Sequence, residues 1–136
     1  MNHLIRIFFA AFFAFSFAGS SVYADEPKES EKIKNKLSEF AEFFYKNPDE
    51  ELAKDNLQAL LESPHFSSFF KKDRAWINRL GYFFGRVGEQ FPPIRNYYMI
   101  YFDTNPHEQR LLLLDALRLC GDLEVKHYLE QKKVAF

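Results

Sequence analysis

"GYFFGRVG", residues 81–88, places three of the chain's five glycines at i, i+4 and i+7 inside a segment whose apolar residues keep helical spacing. Three readings compete for such a run: a phosphate-cradling loop, a membrane helix-pairing motif, or a helix whose bare side admits a close neighbour. A phosphate loop needs Gly-x-Gly-x-x-Gly, or a glycine-rich loop closed by Lys-Ser/Thr after a strand, and neither pattern is present. Membrane pairing through Gly-x-x-x-Gly needs an apolar span, which Asn78, Arg79, Arg86 and Glu89 interrupt. The third reading remains. With about 100° between successive residues, Trp76, Leu80, Phe83 and Val87 fall on one side of the helix, flanked by Ile77 and Phe84. Gly81, Gly85 and Gly88 form a second side, and Arg79, Tyr82 and Arg86 a third. An interior glycine costs a helix about 1 kcal/mol relative to alanine, so three on one side imply a compensating gain. The simplest is another helix backbone packed closely there, which makes this helix central and buried on two sides.

Helical signals continue in both directions. Ile33, Leu37, Phe40, Ala41 and Phe44 form the single apolar stripe of an outer helix. "NPDEE" at 47–51 predicts the next helix start, with Asn47 as cap and Pro48 in the first helical position, and Leu52, Ala53, Leu57, Leu60 and Leu61 as the buried face. Ser63 and Pro64 open a short helix or turn carrying Phe66, Phe69 and Phe70, and a longer helix runs from about Asp73 to Gln90. "FPPIRNYYMIYF" at 91–102 starts another with prolines in its first turn, and Asn105 and Pro106 start the next. In that helix Leu112, Leu113, Leu114, Ala116, Leu117, Leu119 and Cys120 leave only a narrow polar stripe of His107, Glu108, Asp115 and Arg118. Gly121 ends it where a left-handed residue is wanted, and Asp122 caps a last helix to about Gln131. No segment sustains period-two alternation between hairpin signals, so no sheet is expected.

"FFYKNPDEE" (43–51) and "YFDTNPHEQ" (101–109) echo one another: an aromatic pair, two residues, Asn-Pro, one residue and Glu. A helix-turn-helix junction needs these letters anyway. Two such junctions around a central helix give an all-α domain of about six helices over residues 33–136, a layout that resembles a short HEAT-type αα-superhelix or orthogonal bundle.

The N-terminus reads as an export signal. His3 and Arg6 form a basic start, Ile7 to Ala18 an apolar core too short to span a bilayer, and "SSVYA" a small-residue cleavage site ending at Ala24. Residues 1–24 are therefore expected to be a cleaved secretory signal, and residues 25–32, "DEPKESEK", a flexible lead-in. Export places the chain in the periplasm, with full secretion as the alternative. No stable membrane span follows the signal. Without Arg6, 17 of the 18 basic side chains face 19 acidic ones, which is no signature for nucleic acid. The charge is uneven, however. Residues 25–70 hold 6 basic and 11 acidic side chains, and residues 71–95 hold 6 basic and 2 acidic. Either these regions pair within the chain or the basic one faces an anionic partner, and Arg79 and Arg86 in particular could lie over the aromatic core and pair with Glu39, Glu42 or Asp55.

A single cysteine, Cys120, cannot form an internal disulfide, and its apolar helical position reads as a small buried hydrophobe. "HEQRL" at 107–111 lacks the second histidine of a zinc-protease motif, and Asp122, Glu124 and His127 lack further partners. Ser38, Ser63, Ser67 and Ser68 sit in no nucleophile elbow. No catalytic residue, metal ligand or cofactor is assigned. Two surfaces stand out instead. Arg79, Tyr82 and Arg86 combine the residue types enriched at protein-binding hot spots. Tyr97, Tyr98 and Tyr101 could line a groove for a peptide or small apolar ligand. The resulting expectation is an exported protein-protein interaction module without catalytic activity. A carrier of a small apolar ligand or lipid is the alternative, and an enzyme the third reading. Intact-mass measurement of the exported protein is expected to give a chain beginning at Asp25; one still beginning at Met1 would contradict the export signal.

Overall fold

Seven helices fill residues 27–133, the part of the chain that the computed structural model describes, and no strand occurs among those residues. The chain divides into two units, Met1–Asp49 and Glu50–Phe136. The described part of the first is helix α1, Pro27–Phe44. It starts within the stretch read as a lead-in, ahead of Ile33, because Pro27 suits a first helical position and Glu29 sits in the first turn against the positive end of the dipole. Leu37, Phe40, Ala41 and Phe44 are buried, as the apolar stripe predicts, with the Phe40 and Phe44 rings edge to face at 5.5 Å. The export signal and its cleavage site lie outside the described residues.

The second unit holds α2 (Glu50–Leu61), α3 (Phe66–Lys72), α4 (Arg74–Gln90), α5 (Ile94–Thr104), α6 (His107–Cys120) and α7 (Leu123–Gln131). Asp73 caps α4 by accepting from the Trp76 N–H, and Asp122 caps α7 by accepting from the Val125 N–H at 2.8 Å. Gly121 ends α6 at φ 64°, a left-handed conformation that a Cβ would strain.

The two Asn-Pro junctions differ from expectation. Asn47 and Asn105 start no helix. Each closes the helix before it, its backbone N–H donating to the carbonyl of Phe43 or Tyr101. Asn105 adds a side-chain bond to the same Tyr101 carbonyl at 3.0 Å. The following helices begin only at Glu50 and His107, past the prolines. The sequence echo is thus a shared helix stop. The C-terminal turn leaves carbonyls without intrahelical donors, and a donor four residues on is nearer to hand than the next helix.

The closest packing joins α4 to α6. A Cβ added at Gly81 would meet Asp115 Cβ at 2.9 Å, and one at Gly85 would meet Leu119 Cβ at 2.6 Å and the Ala116 carbonyl at 3.2 Å. One at Gly88 would collide with Cys120 Sγ. Successive glycines meet successive turns of α6 in the same order, so the two helices run parallel in this seam, with α5 as the return between them. The opposite side of α4 is also buried, through Trp76, Ile77, Leu80, Phe83, Phe84 and Val87. Leu112, Leu113, Ala116, Leu117 and Cys120 are the buried residues of α6, whereas Leu114 and Leu119 keep partial exposure.

Gly85→Ala is expected to destabilise the fold by about 2 kcal/mol, because both colliding groups are fixed to a backbone and the helices have to part. The helix-propensity gain of about 1 kcal/mol recovers only part of that. Denaturant unfolding measures the net effect; a stabilised variant would contradict the seam.

Candidate functional site

With one side of α4 given to the seam and another to the core, a narrow stripe is left outside. Arg74, Ala75, Asn78, Tyr82 and Glu89 are exposed along it, and Arg79 and Arg86 are half-buried at its edge. Tyr82 is 42% exposed, on a helix that otherwise buries its aromatic side chains. The stripe therefore brings together the three residues singled out by spacing. It adds Arg74 and Asn78, which sequence reasoning missed although they precede Tyr82 by eight and four residues on the same helical row.

Charge pairing around the stripe is mostly local. Arg86 pairs with Glu89 one turn along its own helix, and Arg95 pairs with Asp122. Lys71, Lys72, Arg74 and Arg79 form no ion pair among the described residues. The Arg74 guanidinium lies over the Phe70 ring at 4.0 Å, an arrangement that leaves its outer edge for an acceptor. Arg79 Nε is buried without a hydrogen-bond partner. Asp115 of α6 lies against Gly81; burial raises its carboxyl above the usual range, and Arg74 and Arg118 oppose that shift.

The three tyrosines of α5 do not share one surface. Tyr98 is fully buried and donates to the Phe84 carbonyl at 2.8 Å, so it belongs to the core. The Tyr97 and Tyr101 rings pack against each other, tilted by 32°, with centroids 4.4 Å apart, and the Tyr97 hydroxyl donates to Gln58 Oε1 on α2 at 3.2 Å. One helical turn separates the pair from each other, whereas Tyr98 is rotated away by about 100°.

Asp122 serves both as the α7 cap and as the partner of Arg95, which also donates from Nε to the Gly88 carbonyl at 2.7 Å. Among the described residues no group of three His, Cys, Asp or Glu side chains is placed to hold a metal ion, and no helix is long and apolar enough to cross a membrane. Cys120 is buried, its thiol donating to the Ala116 carbonyl at 3.2 Å, and burial pushes its pKa from 9.0 up to about 11. Neither a protein-family model, nor a curated protein, nor a solved structure matches the chain.

The raised thiol pKa has a stability signature. The fold favours the protonated thiol, so this contribution is complete below about pH 9 and is lost as pH climbs toward about 11. Wild type is expected to lose stability relative to Cys120→Ala across that window in denaturant unfolding. Tyr98 is common to both proteins, but the Cys120 charge helps to raise its phenol, so the measured difference includes that coupling. A pH-independent difference would refute the thiol's burial.

Proposed function

We propose that the chain is an exported, periplasmic α-helical module that acts by binding another protein, with the α4 stripe around Arg79, Tyr82 and Arg86 as its docking surface. The observation that carries the reading is an exposed tyrosine, flanked at helical spacing by two arginines, on a helix otherwise committed to the core. Tyrosine and arginine bring apolar area and directional hydrogen bonding, the combination enriched at binding hot spots. A carrier of apolar ligands has less behind it, since Phe66, Phe83, Phe84 and Tyr98 are all fully buried side chains of the interior.

A photocrosslinking amino acid at position 82 of the exported protein is expected to give one discrete protein adduct. The same group at Ile100 or Leu123, which are exposed elsewhere, is expected to give none. Arg79→Ala combined with Arg86→Ala should remove the adduct while helicity by circular dichroism stays unchanged. Equal yields from all three positions would defeat the assignment.

A further inference from the structure

The second unit carries another exposed helix face of opposite sign. On α2, Glu51, Leu52, Asp55 and Ala59 are exposed, with Glu62 exposed just beyond its end. Leu52 is 47% exposed and lies among those acids, much as Tyr82 lies among the arginines of α4. Glu51 to Glu62 spans about 16 Å of helix and Arg74 to Arg86 about 18 Å, so the two charged rows match in length. Within the second unit their described ion pairs do not join them. Glu50 and Glu51 bind Lys54 on their own helix, Arg86 binds Glu89, and Arg95 binds Asp122.

We propose that the exposed stripe of α4 docks on the acidic outer face of α2 in a second copy of this chain, with Tyr82 packed against Leu52. The inference rests on the reading of the α4 stripe as a docking surface and names its occupant. Two complementary faces on one chain make self-association the partner choice that the sequence supplies in full. Each copy carries both faces, so two copies related by a two-fold axis can make the contact twice and leave neither face open. Exposed ion pairs contribute little individually; here they set orientation and encounter rate, and the Tyr82–Leu52 contact supplies apolar area. A nucleic acid or an anionic membrane would satisfy the arginines but leave the acidic face and Leu52 uncovered.

The test is the oligomeric state of the exported chain by sedimentation and light scattering. Wild type is expected to dimerise, with a Kd that rises about tenfold or more between about 0.05 and 0.5 M salt. Arg74→Glu with Arg86→Glu makes both faces acidic, and Glu51→Lys with Asp55→Lys makes both basic. Each variant alone should be monomeric, and an equimolar mixture should dimerise, because both contacts are again between opposite charges. Recovery on mixing also shows that both variants are folded. Tyr82→Ser and Leu52→Ser change exposed positions only and should each weaken the wild-type dimer about tenfold.

A wild type that stays monomeric at every salt concentration overturns the proposal, as does a mixture that fails to associate while both variants keep native helicity. If the chain is monomeric and the crosslinker at position 82 captures a different protein, self-association fails but the docking surface stands. If the chain is monomeric and no adduct forms, both fail. Binding to phosphatidylglycerol vesicles by a monomeric wild type, lost in the Arg74→Glu, Arg86→Glu variant, also overturns the proposal and assigns the stripe to a lipid surface.

Discussion

The contact between the glycine side of α4 and the facing turns of α6 is the constraint on which the second unit depends. Without side chains at Gly81, Gly85 and Gly88, the α4 backbone comes so near that a single Cβ would meet fixed atoms of Asp115, Leu119 and the Ala116 carbonyl. Dispersion falls off steeply with separation, so this nearness is what offsets the helix propensity that three interior glycines forfeit. Other elements are arranged around the seam. Tyr98 reaches the Phe84 carbonyl, and Arg95 reaches the Gly88 carbonyl near the end of α4, where intrahelical donors have run out. The Arg95–Asp122 pair then carries the tie on to the cap of α7.

The same constraint explains why so little of α4 is left for function. A helix buried on its glycine side and on its aromatic side keeps one row outside. Here that row holds Arg74, Asn78 and Tyr82, with Arg79 and Arg86 at its edge. A rigid, doubly packed helix is a good platform for recognition, because its side chains start from a backbone that loses no freedom on binding. An exposed row of α2 on the same unit carries Glu51, Asp55 and Glu62, so this unit presents acidic and basic helical faces.

Much of this was legible in the sequence because it is local. Helical spacing of Trp76, Leu80, Phe83 and Val87, the cap at Asp122 and the left-handed stop at Gly121 each follow from interactions within a few residues. The glycine run showed that some backbone would come close, though not which one. The Asn-Pro junctions were misread for a physical reason: asparagine suits both the start and the end of a helix, and the Tyr101 carbonyl claimed Asn105 first. The tyrosines of α5 were grouped by adjacency, but neighbouring residues on a helix point apart, so Tyr98 went to the core while the half-buried Tyr97 and Tyr101 packed ring against ring.

By itself, the sequence determined the all-helical class, most of the helix boundaries and the three-sided character of α4, since these arise from periodicity and short-range hydrogen bonding. Only the tertiary structure decided that α6 is the helix against the glycines and that the pair runs parallel. It also decided that Arg86 turns to Glu89 and Arg95 to Asp122, leaving Lys71, Lys72, Arg74 and Arg79 unpaired among the described residues. Those outcomes depend on which distant turns come within a few ångströms, and residues separated by tens of positions carry no local signal of their eventual neighbour.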